Sequence, residues 1–255
     1  MTIAFRALAS FLAIATALPA TALPATAKTI TFAGRTWEVR PNGLGGPRNN
    51  RWCERNAFVD AKGRLHLKLT KTRKGGWCAA EVHSTDRMGF GTYQWQIDSR
   101  VDLLDRNVVL GLFNYPPPEV GPDATNEIDI EFTKWGYEDN ENLNYTLFPK
   151  RAGIPYKTRG FDMTLEGTSS THRFIWSAKS IRFQATHGHY NDNRLPIADW
   201  TYAPKNASRL IPTAPMPIYM NLWRTEAPAN DRPVEIVISD FRFTPETASR
   251  RAGAK

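Results

Sequence analysis

The stretch "TNEIDIEFTKW", residues 125–135, sets Glu127, Asp129 and Glu131 at every second position, with Ile128, Ile130 and Phe132 between them. Successive side chains of an extended strand point to opposite faces. A strand here therefore turns three apolar groups to one side and three carboxylates to the other. The apolar side anchors the segment in a core, and the acidic side calls for an explanation of its own.

Period-two alternation spreads outward from this segment. "RLHLKLTK" sets Leu65, Leu67 and Leu69 against polar neighbours, and "TYQWQIDSRV" does the same with Tyr93, Trp95, Ile97, Ser99 and Val101. "VVLGLFNY", "LNYTLF", "RFIWS", "SIRFQATH", "PIYMNLW" and "VEIVISDFRF" continue the series, parted by the turn-rich joints "PPPEVGPDATN", "YEDNEN", "EGTSS" and "TAPMP". No window of about 12 residues carries a capped helical period. Many short strands at close spacing predict an all-β fold, a two-sheet antiparallel β-sandwich. No internal repeat or linker divides it, so residues 28–255 read as one domain, ending in a polar tail, "ASRRAGAK".

Residues 1–27 have a different character. Arg6 precedes the uncharged run "ALASFLAIATALPA", and small residues close the segment at Ala27, the pattern of a secretory signal peptide. The apolar run is broken by Pro19 and Pro24 and falls short of the roughly 20 residues a membrane span needs. The expectation is a monomer, secreted or periplasmic after cleavage near Ala27, with no membrane partner. The two cysteines, Cys53 and Cys78, lie in the exported part, where an oxidising compartment favours a disulfide over two free buried thiols. The formal net charge of +8 raises the question of nucleic acid, but the basic residues are scattered apart from "KLTKTRK" (68–74) and no recognition motif accompanies them. A solvated basic surface, with no nucleic-acid partner, is the simpler reading. "HGHY" (187–190) and "DNEN" (139–142) lack the ligand spacing of a metal site and read as turns.

Three readings compete for the acidic face: a solvated surface, a divalent-metal site and catalysis. Four residues of strand span roughly 13 Å, and two Glu side chains leaning together leave their carboxyls about 5 to 6 Å apart. Retaining glycosidases work with about 5 to 5.5 Å between nucleophile and acid/base. Asp129 between them couples to both, so protons are shared and the apparent pKa values spread. Nearby residues suit a sugar: Asn144 and Tyr145 in "NLNYTLF", and Asn221 and Trp223 in "MNLWR", supply amides for hydroxyls and aromatic faces for pyranose rings.

The run "NEIDIEF", with "GFGTYQWQIDSRV" upstream and "FIWSAKSIRFQ" and "MNLW" downstream, resembles glycoside hydrolase family 16, above all its bacterial lichenase branch. The resemblance implies a jelly-roll, concanavalin A-like sandwich with a concave carbohydrate cleft and a retaining, endo-acting β-glucanase. It implies Glu127 as nucleophile, Asp129 as the assisting carboxylate and Glu131 as general acid/base. By the same resemblance Asn56, Glu81 and Trp223 contact sugar, with His83 where lichenases usually carry Arg, and "WCERNAFV" and "WCAAEVHST" are the segments a Cys53–Cys78 bond joins. It implies no cofactor for catalysis. A structural calcium occurs in some relatives, without ligands to assign here. The strand has the uninterrupted E-x-D-x-E form, shared by β-1,3-1,4-glucan hydrolases and by wall transglycosylases. The alternatives to a hydrolase are therefore such a transglycosylase, or a non-catalytic carbohydrate-binding protein on the same scaffold.

Overall fold

The computed structural model describes residues 27–247. The leader reading, all but its last residue, and the polar tail lie outside the described residues. In chain order the strands are β1 (Thr29–Phe32), β2 (Arg35–Val39), β3 (Gly43–Gly45), β4 (Asn50–Trp52), β5 (Ala57–Val59) and β6 (Leu65–Lys71). There follow β7 (Trp77–Cys78), β8 (Ala80–Ser84), β9 (Gly91–Asp98), β10 (Val108–Asn114), β11 (Glu127–Phe132) and β12 (Leu143–Phe148). The last are β13 (Lys157–Phe161), β14 (Ser169–Trp176), β15 (Ile181–His187), β16 (Pro196–Tyr202), β17 (Ile218–Arg224) and β18 (Val234–Pro245), with one short helix, α1 (Ala207–Leu210), before β17.

Two antiparallel sheets face each other. The front sheet runs β1-β2-β8-β17-β10-β11-β12-β13, and the back sheet β16-β15-β14-β9-β18-β6-β5, with β7 paired to β6. Alternation decides which residues enter the space between them. Leu65, Leu67 and Leu69 are fully buried, as are Tyr93, Trp95 and Ile97 on β9 and Ile128, Ile130 and Phe132 on β11. Ring contacts bridge the sheets: Trp37 meets Phe241 edge-on at 5.4 Å, Phe132 meets His172 edge-on at 4.6 Å, and Tyr145 stacks on Phe183 at 4.8 Å. Aromatic pairs at these separations add about 0.5–1.5 kcal/mol beyond the area they bury. Burial pushes the His172 imidazole down to about 3, so it serves the core as a neutral ring, its Nε2 2.9 Å from Ser170 Oγ.

The strands quoted above all form, most within a few residues of their expected limits. The expected strands leave out β1 to β5, β7, β8, β13 and β16. β13, "KTRGF", is exposed along most of its length, so no core alternation marks it. β16, "PIADWTY", buries only Ala198. Both are edge strands, held by one neighbour's hydrogen bonds and not by a hydrophobic face.

Cys53 and Cys78 are joined, with their Cα atoms 5.7 Å apart. The bond ties the turn after β4 to β7 and closes a loop across a sequence separation of 25, worth about 3.5 kcal/mol in the chain-entropy model. Replacing both cysteines by alanine is expected to lower unfolding free energy by about 3 kcal/mol in urea titrations. A change below about 1 kcal/mol would show that the link adds little to the folded state.

Candidate active site

The outer face of the front sheet carries a cleft of about 980 Å³, and its floor follows from strand register. Glu131 lies opposite Gly111 on β10 and Asn144 on β12; Asp129 lies opposite Phe113 and Thr146; Glu127 lies opposite Phe148. Gly111 is in turn opposite Asn221 on β17, and Asn221 opposite Glu81 on β8. All of these residues except Gly111 line the cleft. The register across β11 runs without a shift from Glu127 to Phe132, so the three carboxylates stay on one face.

Tight local structure leads into β11. Ala124 and Asn126 both adopt left-handed backbone, at φ 61° and 56°, a region Asn tolerates better than most residues. The Asn126 amide donates to Lys150 O at 3.2 Å, the Thr125 hydroxyl donates to Pro122 O at 2.7 Å, and Ile128 N–H donates to Asn114 Oδ1 at 2.7 Å. Thr125 and Asn126 are thus buried turn residues. Both hold the strand, and neither lines the cleft.

The electrostatics are those of three like charges on a half-dry floor. Asp129 is only 3% exposed, and no donor reaches its Oδ2. Burial and the charges of Glu127 and Glu131 push its carboxyl well above the usual range, and a hydrogen bond shared with Glu127 raises it further. Two carboxyls share such a bond only when one holds a proton. Asp129, the most enclosed, holds it and donates. Burial, then the Glu131 charge, pushes Glu127 up to about 8, and the Asp129 bond opposes that rise. Burial pushes Glu131 up to about 7. The floor thereby holds three carboxyls of raised proton affinity, with Glu127 and Glu131 two steps apart on one strand face and Glu127 alone receiving a neighbour's opposing hydrogen bond. That is the pairing a double displacement requires.

Glu81 anchors the β8 side of the cleft. Arg40 Nη1 donates to its Oε1 at 3.0 Å and Asn221 Nδ2 to its Oε2 at 3.1 Å. Burial raises its carboxyl, and the Arg40 charge opposes that rise. The Arg40 guanidinium lies 4.1 Å from the centre of the Trp52 ring. Aromatics flank the acidic floor. Trp223 and Trp135 stand 6.4 Å apart, Tyr219 stacks on Phe113 at 5.4 Å, and Tyr156 lies 5.3 Å from Phe148. Near Glu127, the Tyr115 hydroxyl donates to Asp123 Oδ1 at 2.5 Å.

Of the residues proposed from sequence, Glu127, Asp129, Glu131, Glu81, Asn144, Asn221 and Trp223 meet in this cleft. Asn56 does not reach it. It is 2% exposed, and its amide is spent on Lys68 O, Thr70 Oγ1 and Cys78 O, where it braces the disulfide segment. Tyr145 is also displaced: it pairs with Ile130 and packs in the core against Phe183 and Phe161. Period two already implies this, because Asn144 and Tyr145 cannot share a face. His83 lies on the cleft side of β8 but beyond the lining. Its ring stacks on Tyr219 at 5.0 Å and its Nε2 is 3.4 Å from Glu38 Oε2. The cleft's arginine comes instead from Arg40, just past β2. His187 ends β15, and His189 faces Asp98 at 3.2 Å. Among the described residues no group of three or more His, Cys, Asp or Glu side chains is arranged to hold a metal ion.

Tyr219, Trp135, Tyr115, Asp123 and Arg40 line the cleft without having been singled out in the sequence. Counting back by two from Trp223 and Asn221 reaches Tyr219. The other four sit on loops or at strand ends, where alternation gives no signal.

An antiparallel sandwich with a carboxylate-floored, aromatic-walled cleft is the architecture of a carbohydrate-active protein. Residues 47–239 match Glycosyl hydrolases family 16, and the chain belongs to that family. It is similar to the β-glucanase of Bacillus amyloliquefaciens, 26% identical over 175 residues, which cover 69% of this chain and 64% of that protein. The β-glucanase of Paenibacillus macerans is 27% identical over 194 residues, 75% of this chain and 73% of the relative. The structure of Bacillus licheniformis β-glucanase superposes with a TM-score of 0.63 at 20% identity, covering 87% of this chain and all of that one. The two antiparallel sheets are thus the family's jelly-roll sandwich. The match to the Bacillus amyloliquefaciens enzyme spans just under two thirds of its length.

Because the folded state raises the Glu131 carboxyl from 4.5 to about 7, it binds more protons than the unfolded chain across that window, and stability falls as pH rises through it. Glu131→Gln removes this term. The melting temperature of the unmodified protein is expected to drop relative to Glu131→Gln by about 5 °C between pH 4.5 and 7.5, with no further divergence above. Parallel melting curves across that range would refute the raised acid.

Proposed function

We propose that this chain is a secreted, retaining, endo-acting glycoside hydrolase that cleaves β-glucan-type polysaccharide by double displacement. The observation that carries the reading is the unbroken register of β11, which sets Glu127 and Glu131 on one face with Asp129 between them at the floor of an open cleft. Glu131 protonates the departing glycosidic oxygen while the Glu127 carboxylate attacks the anomeric carbon and forms a glycosyl ester. The Asp129 O–H bond to Glu127 weakens as that ester forms and returns as it breaks. Glu131, now ionised, takes a proton from water, and the hydroxide equivalent releases the sugar from Glu127. The sequence asks for carboxylates and water alone.

The lining supports the substrate class. From Glu81 on β8 to Thr158 on β13 the cleft crosses six strands, about 24 Å at the usual strand spacing, which accommodates several pyranose rings and an internal cut. Its walls are aromatic rings and amides, and Arg40 is already matched by Glu81, as suits an uncharged polymer. The relatives named as β-glucanases point to the same class. Export follows from the leader-like residues 1–27 and accords with the Cys53–Cys78 bond.

Incubation with mixed-linkage β-glucan, β-1,3-glucan, xyloglucan and agarose is expected to release short oligosaccharides from a glucan. Glu127→Gln should lose that release by about 10³-fold or more. Failure of the unmodified protein to shorten any of the four, even with acceptor sugars added, would favour a binding protein on this scaffold.

A further inference from the structure

Asn221 holds an unusual position between two functional groups. It is 4% exposed, its Nδ2 is committed to Glu81 Oε2, and its Oδ1 is buried without a donor. That oxygen lies over Gly111, where an added Cβ would meet it at 2.6 Å. Gly111 is the residue between Asn221 and Glu131 in the sheet. Because residue 111 lacks a side chain, the amide oxygen leans across β10 towards the strand that carries the acid/base. The orientation is not free: a carboxylate only accepts, so an ionised Glu81 forces Nδ2 inward and Oδ1 outward. Arg40 donates to the other Glu81 oxygen at 3.0 Å, and its charge opposes the rise that burial imposes on the Glu81 carboxyl. Arg40 is itself seated on Trp52.

We propose that Arg40 is a positioning residue for the acid/base: through Glu81 it fixes the Asn221 amide so that Oδ1 accepts the O–H of Glu131 and holds that group in its acid form. The inference rests on the glycosidase reading only for its catalytic consequence. The groups that bear on Glu131 are few. On its own strand they are Glu127 and Asp129. Its strand partners, Gly111 and Asn144, carry no charge, and Glu81 beyond them is paired with Arg40. Without the guanidinium, Glu81 takes a proton and becomes a donor. The amide then turns its Oδ1 to Glu81 and its Nδ2 to Glu131, and an N–H facing Glu131 favours the carboxylate.

The test is a ¹³C-carboxyl NMR titration of the full chain with labelled glutamate, Glu131 being assigned by its loss in Glu131→Gln. Arg40→Met keeps an apolar stem on Trp52 and is expected to lower the Glu131 midpoint by about one unit, a tenfold loss of proton affinity. Arg40→Lys, which restores a charged donor, should stay within about 0.3 unit of the unmodified protein. Asn221→Ser, a second route should Arg40→Met fold poorly, should lower the midpoint as Arg40→Met does. The alkaline limb of kcat/KM should follow the same shifts. An unmoved Glu131 midpoint in folded Arg40→Met overturns the proposal, as does a raised KM with the pH profile unchanged. If the unmodified protein shows no turnover while the midpoint shifts as stated, the glycosidase reading falls and the relay stands.

Discussion

The period of two along β11 is the constraint on which the rest of the structure depends. Ile128, Ile130 and Phe132 are fully buried between the sheets, and burying three side chains of that size contributes on the order of 5–8 kcal/mol. No register that turns the carboxylates to the core side can compete, because a slip of one residue would exchange the two faces outright and bury three acids. The apolar half of the strand therefore fixes the acidic half on the outer face. Mutual repulsion among Glu127, Asp129 and Glu131 is sustained by contacts on the opposite side of the same backbone.

That arrangement ties stability to chemistry. Each carboxyl is raised chiefly by burial, so the folded state pays in charge for what the site gains in proton affinity. Local devices keep the cost contained. The Ala124–Asn126 turn leads the chain into β11 at a set angle, Asn114 takes the Ile128 N–H, and Gly111 leaves room beside Glu131 for the Asn221 amide. Polar groups around the trio are mostly committed: Glu81 to Arg40 and Asn221, the Asn144 amide to Thr133 O at 2.9 Å.

Much of this was legible in the sequence because strands with one buried face announce themselves by alternation. The core positions of β6, β9 and β11 were readable residue by residue, as was the acidic trio. Edge strands β13 and β16 were not, since they bury little. Within the site, the same alternation recovers Asn221 and Trp223 and excludes Tyr145, whose neighbour Asn144 already takes the cleft side. Asn56 misleads for another reason: a conspicuous amide beside a cysteine can serve backbone carbonyls as readily as sugar hydroxyls, and here it serves Lys68 and Cys78. Arg40, Tyr115, Asp123 and Trp135 enter from loops and strand ends. Their convergence depends on how the sheets fold together, which no local pattern records.

The central claim is that Glu127 is the group that bonds to sugar while Glu131 moves the proton. A 2-deoxy-2-fluoro glucan oligosaccharide with a dinitrophenolate leaving group tests it directly, because fluorine slows release of the glycosyl ester and lets it accumulate. Mass spectrometry of the intact chain should show addition of one fluoroglycosyl group per molecule, and fragmentation of the peptide spanning residues 125–135 should place it on Glu127. A label on Glu131, or stoichiometric dinitrophenolate release from an unlabelled chain, would contradict the account.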